Sequence, residues 1–384
     1  MIYLDNAATS FPKPPEVVKA VSRCMREYCG NPGRGSHKLA LAASEKIYDC
    51  RTLLSDFFNA DAPENVVFCM NATHALNLAI FSVASKGAHF ICSDMEHNSV
   101  RRPLEFLVRE RGCTYSVFDS FVLDPNRSAR KICSSISSLI RPQTVAVIAT
   151  ACPNVCSVRM PLDEIGELCR RSGVAFIVDG AQGAGHFPID MKRSNISALA
   201  VPGHKGLLGP QGSGALILAN DFKTAPLLYG GSGSASLDLD MPSELPERLE
   251  AGTQSTPAIA GLEAGIGFLR GIGIENVTIH EKEICAKALR MLSEIPGVTV
   301  YAPHGLGSVI SFNIESLPSD KVASLLSERG ICVRGGFHCN PMAHSVLGSD
   351  EHGSVRASFS PFNTAQDVFT LAEEVRAIAR GKYR

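Results

Sequence analysis

From about residue 65 the chain alternates short runs rich in β-branched residues with longer stretches of helical period. VVFCM (66–70) predicts a strand, and HALNLAIFSVAS after it carries apolar residues at helical spacing. HFICSDM, TVAVIAT, VAFIVDG, ALAVPG and GALILA predict further strands. Between two of them lies PLDEIGELCRRSG, with acidic residues early, basic residues late and a closing glycine. That order suits the helix dipole and a glycine stop. Alternating strands and helices imply an α/β fold, a mostly parallel sheet covered on both faces.

After about residue 256 the rhythm changes. AIAGLEAGIGFLRGI and HEKEICAKALRMLSEI predict a long helical stretch. Strand-like GSVISFNI, helix-like SDKVASLLSERG, strand-like ICVRG and VRASFS, and a last helix, TAQDVFTLAEEVRAIARG, complete a smaller α+β unit. The expected division is a large domain over 16–256 and a small one built from 1–15 and 257–384. PLLYGGSGSASLDLDMPSELPERLEAGTQSTP separates them and is too rich in Gly, Ser and Pro to be regular. A loop of that length contacts a partner or serves the site.

The 384 residues allow a large core, and a net charge of -1 leaves no basic field for nucleic acid or an anionic membrane. No apolar run reaches bilayer length, and MIYLDNAATS has no signal-peptide character. The 13 cysteines are scattered in apolar contexts such as FCMN and ELCRR, with no CxxC pair. They read as buried thiols in a reducing cytoplasm.

The chemistry begins in VAFIVDGAQGAGHFPID, where a buried strand ends in Asp179. Ligands of parallel sheets bind at that strand end, and an acid there wants a cation; Asp179 as a helix cap is the plainer alternative. In ALAVPGHKGLLGPQGSGALIL, Lys205 follows the next strand beside His204. A lysine at the mouth of a sheet is either a solvated loop residue or an amine tuned for Schiff-base chemistry. Asp and Lys on successive strands are what pyridoxal 5′-phosphate (PLP) needs: a carboxylate for the ring nitrogen and an amine for the aldehyde. In VVFCMNATHALNLAI, Asn71-Ala72-Thr73 open a helix after a strand, an ordinary N-cap or a phosphate site. His97, in SDMEHNSV, is placed to lie flat on a ring or to be a satisfied polar residue.

Taken together, the motifs resemble the class V aminotransferase branch of fold-type I PLP enzymes, and within it the cysteine desulfurases. The matching pieces are YLDNAAT (3–9), NPGRGSH (31–37), NATHALN, EHNS (96–99), PNV at Asn154, VDGAQ (178–182), GHK (203–205), EAGTQSTP (250–257), RGGFHC (334–339) and VRASFSPFN (355–363). They keep family order across almost the whole chain. The short connection into Cys339 is most similar to that of group-II desulfurases and selenocysteine lyases.

The resemblance implies that Lys205 carries PLP, Asp179 pairs with the ring nitrogen and Gln182 with the phenolic oxygen. It implies His97 stacked on the ring with Asn154 close by, and Ala72, Thr73 and His204 on the phosphate. Thr253 would reach the phosphate of the neighbouring subunit, which implies a homodimer with shared sites. Arg356 would grip the substrate α-carboxylate, and Cys339 would take the sulfur of L-cysteine or L-selenocysteine and hand it to an acceptor protein. A thiolate needs an electropositive setting, which His338 and Arg334 are placed to supply. Two segments depart from the family pattern: Pro202 replaces a hydroxyl residue, and Ala72 and His74 flank Thr73 where another threonine and an acid are frequent. Each missing donor costs around 1 kcal/mol of cofactor binding. The competing expectations are a selenocysteine lyase, a β-lyase with Cys339 a bystander, and a non-catalytic scaffold for a sulfur-carrier partner. Zinc at Cys332, His338, Cys339, His344 and His352 lacks ligand spacing.

Overall fold

The computed structural model describes all residues except 34, 235, 303, 306 and 382–384, so Arg34 of the NPGRGSH match lies outside the described residues. The first part of the chain runs β1 (Ile2–Tyr3), α1 (Pro15–Glu27), α2 (Lys38–Phe58), β2 (Val66–Cys69), α3 (Ala72–Val83), β3 (His89–Ser93), α4 (Asn98–Arg111) and β4 (Thr114–Phe118). It continues through α5 (Ala129–Leu139), β5 (Thr144–Thr150), α6 (Leu162–Ser172), β6 (Ala175–Asp179), β7 (Ala198–Pro202) and β8 (Gly214–Leu218). After a long irregular segment come α7 (Thr256–Ile272), α8 (Ile274–Ser293), β9 (Val298–Tyr301), β10 (Val309–Ile314), α9 (Ser319–Glu328), β11 (Ile331–Cys332), α10 (Pro341–Leu347), β12 (Val355–Ser358) and α11 (Ala365–Ala379).

Seven strands form the main sheet in the order β2-β8-β7-β6-β5-β3-β4. β3, β4, β5, β6 and β7 pair in parallel, and β8 is antiparallel to both its neighbours. The mostly parallel α/β sheet expected from the sequence is therefore present. Strand period assigns alternate residues to two cores. Phe176 and Val178 join the cluster on one face, and Ile177 joins the other with Ile148 and Ala200. The edge strand β4 escapes the sequence pattern because TYSVF leaves Thr114 and Val117 exposed, so no apolar run marks it.

A second sheet, β12-β10-β9, is antiparallel and packs with α8, α9 and α11 around its own core, which includes Phe312, Leu326 and Val375. The helix α7 places Ile259, Leu262, Ile266 and Leu269 in a core of the main sheet, so that packing continues past residue 256. The N-terminal strand β1 pairs in parallel with β11, and Asp5 bridges to Ser358. No single described helix is long and apolar enough to cross a membrane.

The topology places the site. With β8 antiparallel on both sides, β2 runs in the same direction as β7. The C-terminal ends of β2, β3, β5, β6 and β7 thus share one edge, and the turns leaving them converge there.

Candidate active site

A cavity at this edge is lined by Ala72, Thr73, His97, Asn154, Asp179, Gln182, His204 and Lys205. Eight of the expected site residues, from five separate segments, meet in one place. Asp179 ends β6 and is buried, and its Oδ1 accepts from the Ala181 amide at 2.9 Å. Burial pushes its carboxyl above the ordinary range, against the Ala181 amide and Lys205. A cation facing the carboxylate would reverse that shift. The Lys205 amine has no hydrogen-bond partner among the described residues, and burial brings it down to about 8, helped by Arg356 and Arg334.

The turn carrying Lys205 is fixed from below. The His204 carbonyl accepts from the Ser10 amide at 3.0 Å, Thr9 Oγ1 at 3.1 Å, Ser10 Oγ at 3.1 Å and Lys13 Nζ at 2.8 Å. A Cβ on Gly185, whose φ is +83°, would stand 2.2 Å from the Gly206 oxygen. Only glycine allows the strand-end turns after β6 and β7 to approach so closely.

At the other end of the cavity α3 begins. Its N-cap Asn71 accepts the His74 amide at 2.9 Å. The amides of Ala72 and Thr73 have no acceptor among the described residues, so capping and an anion-binding end coexist here. Thr73 Oγ1 lies 2.7 Å from Ser99 Oγ, which lies 2.9 Å from His97 Nδ1. Nδ1 also accepts the Ser99 amide at 3.1 Å, so the ring proton sits on Nε2. Burial, with Lys205 and Arg356 nearby, lowers His97 to about 4, and burial with Lys205 and Lys13 lowers His204 to about 4. Both imidazoles are neutral at pH 7.

Cys339 is exposed while His338 and Asn340 on either side of it are buried. The Asn98 amide donates to the Cys339 carbonyl at 2.9 Å, and Asn154 Nδ2 donates to the His338 carbonyl at 2.7 Å. The thiol-bearing turn is thus bonded directly to two walls of the cavity. His338 does not supply the expected positive charge. Its Nε2 donates to the Ser354 carbonyl at 3.0 Å, and burial drives its basicity down to about 2.

The aminotransferase class-V family model matches residues 2–371. The chain belongs to this family. Members are PLP-dependent. The chain is 33% identical to a probable cysteine desulfurase of Methanothermobacter thermautotrophicus, covering 98% of this chain and 94% of that one. It is 30% identical to a cysteine desulfurase of Haloferax volcanii over 98% of this chain and 89% of the other. The apo structure of a cysteine desulfurase from Thermococcus onnurineus aligns with a TM-score of 0.91 at 30% identity, covering 99% and 95% of the two chains.

The residues fit the family's cofactor. Gln182 Oε1 and His204 Nδ1 are buried polar atoms without a partner among the described residues, beside the same cavity. Unpaired buried polar atoms are costly, so a polar ligand completes them. Arg356 is 2% exposed and donates from Nη1 to the Asn154 carbonyl at 3.2 Å and from Nη2 to Asp5 Oδ1 at 2.9 Å. Its Nε is buried and has no partner among the described residues. Asp5 was missed in the sequence although YLDNAAT contains it, because nothing local ties it to a residue 351 positions away. Thr253 is exposed and lies apart from the Lys205 cavity, in a cleft with Arg51 and Glu250.

Proposed function

We infer that this class-V protein is a cysteine desulfurase that converts L-cysteine to L-alanine and leaves a persulfide on Cys339. One observation carries the choice: an exposed thiol sits on a turn whose His338 and Cys339 carbonyls are bonded to two walls of the Lys205 cavity. Burial raises most of the other thiols, to about 12 at Cys92, Cys156 and Cys169. A thiol that holds its proton so tightly is a poor nucleophile.

Lys205, Asp179, His97, Ala72, Thr73 and His204 would hold PLP, with Gln182 at its ring oxygen. PLP supplies, when bound, a sink for the electrons released when bonds beside the substrate amine break. Lys205, with a pKa of about 8, is neutral in roughly a tenth of molecules at pH 7 and can take the Cα proton of the substrate. Asp179, a buried carboxylate, would keep a positive ring nitrogen favourable. Neutral His97 offers an apolar face and one Nε2 proton. Arg356, with Nε free and its other donors steadied by Asp5 and Asn154, receives the substrate carboxylate.

The Cys339 thiolate forms a bond to the substrate sulfur, and the Cβ–S bond breaks with its electron pair left on carbon. Protonation there gives the methyl of alanine. Cysteine and Cys339–SH thus become alanine and Cys339–S–SH, with no external oxidant. L-Selenocysteine enters as an alternative substrate less dependent on Cys339, because selenolate leaves more easily. The exposure of Cys339 suits hand-over to a thiol of an acceptor protein. A homodimer completes the site, the partner subunit's copy of the Thr253 segment reaching the phosphate. Thirteen free cysteines suit a reducing compartment, the cytoplasm. The division into a large and a small unit near residue 256 belongs to the same proposal, with α7 lying against the core of the main sheet.

The test incubates PLP-loaded protein with L-cysteine and quantifies alanine, pyruvate and labelled persulfide. Alanine in step with Cys339 persulfide is expected. Cys339→Ser should keep the visible cofactor absorbance and lose the persulfide. Pyruvate with ammonia, or undiminished persulfide in Cys339→Ser, would refute the reading.

A further inference from the structure

We propose that Asn340 is a positioning residue for sulfur transfer, its buried carboxamide clasping the Cys339 turn to the cavity wall. The inference rests on Cys339 being the sulfur acceptor. Asn340 is 0% exposed. Its Nδ2 donates to the Met95 carbonyl at 2.9 Å and to Asn154 Oδ1 at 3.0 Å, while its Oδ1 accepts the Ala343 amide at 3.3 Å. One side chain therefore starts α10, holds the β3–α4 turn and holds Asn154.

The clasp has a mechanical purpose. His338 and Cys339 both have left-handed backbones, with φ of 52° and 55°. Two consecutive non-glycine residues in that region persist only where the surroundings hold them. The surroundings here are four long-range bonds from three successive residues: Asn154 Nδ2 to the His338 carbonyl, the Asn98 amide to the Cys339 carbonyl, and Asn340 Nδ2 to the Met95 carbonyl and to Asn154 Oδ1. The carbonyl of Asn154 also receives Arg356. The same asparagine thus registers the thiol against the group that receives the substrate carboxylate. Removing Nδ2 frees the turn to relax and lets the sulfur wander from the line of attack. Misplacement of about 1 Å is worth up to roughly 100-fold in rate.

The decisive variant is Asn340→Asp in the full-length, PLP-loaded protein. Aspartate still accepts the Ala343 amide, so α10 keeps its cap, but it cannot donate to Met95 or Asn154. Single-turnover formation of Cys339 persulfide should slow by roughly 10-fold to 100-fold. The KM for L-cysteine should change far less, and the cofactor absorbance should be unaltered. Asn340→Ser, which can cap but cannot span the clasp, should behave alike. Wild-type persulfide rates in either variant would overturn the proposal. In the wild type, hydrogen exchange of the Asn98 amide should be slow, and exchange at the rate of an open loop would overturn it even if both variants failed to fold. If the wild type itself forms no persulfide on Cys339, the functional reading fails instead, so the two failures are distinguishable.

Discussion

Removing Glu250 should destabilise the fold far more than removing any exposed acid. The side chains of Arg51 and Glu250 are only 8% and 7% exposed. Arg51 donates from Nη1 to Glu250 Oε1 at 2.8 Å and from Nη2 to Oε2 at 2.5 Å. Glu250 Oε1 also accepts the Phe68 amide at 2.5 Å, Arg51 reaches the Val66 carbonyl, and its guanidinium lies 4.6 Å from the centre of the Phe68 ring. The pair therefore ties α2 to β2, the strand that leads into the Ala72-Thr73 turn. Glu250→Ala leaves a guanidinium buried with one carbonyl and one ring for company, and orphans the Phe68 amide. Breaking one side of such a pair costs about 3–5 kcal/mol, or roughly 100-fold to several thousand-fold in the folding equilibrium. Because the desolvation cost of both ions disappears together, Arg51→Met with Glu250→Leu should recover most of the loss. The assay is urea unfolding of the apo protein followed by far-UV circular dichroism, with Glu27→Ala as control, since Glu27 is half exposed in its pair with Arg23. The control should barely move the midpoint. A loss below about 1 kcal/mol in Glu250→Ala would refute the argument, because it would mean that water or another cation replaces the pair at no cost.

Burial lowers Lys205 from 10.5 to about 8, so between those values the unfolded chain binds the extra proton and apo stability should rise with pH. Lys205→Met should be the more stable protein at pH 7, and its advantage should shrink towards pH 10; a constant difference in unfolding midpoint would contradict the burial argument. Gly185→Ala places a Cβ 2.2 Å from the Gly206 oxygen and at a strained φ, so it should displace the Lys205 turn and weaken the visible cofactor band. A wild-type absorbance titration with PLP in that variant would show that the turn yields freely.

Much of the site was legible because its motifs are local. VDGAQ ends a strand and GHK directly follows one, so each candidate residue lies within a few positions of a strand end, Asp179 closing β6 and Lys205 three residues past β7. The Ala72-Thr73 turn was legible for the same reason: strand, cap and helix start are contiguous. Asp5 was not, since a short acid near the N-terminus gives no sign that it steadies Arg356. Glu96 was not either. It sits fully buried, accepting the Thr150 amide at 2.7 Å with the Ser93 hydroxyl beside it, and burial raises its carboxyl to about 8. Its motif, EHNS, drew notice only for the histidine. The sequence also suggested charge beside Cys339 from His338 and Arg334, and the fold removed the histidine's share by turning His338 to the Ser354 carbonyl.

The chain's order of residues by itself determined the α/β class and the direction of the main strands, and it singled out the candidate residues at the strand ends, because each depends on spacing within one element and its turn. Tertiary structure alone decided which of those groups are charged, which are orphaned and which are clasped. Burial and partners set these properties, and the partners come from 184 residues away for Asn154 with His338 and 245 for Asn340 with Met95. No local period encodes a hydrogen bond across that distance; it exists only once the two cores have packed and brought the strand ends to the Cys339 turn.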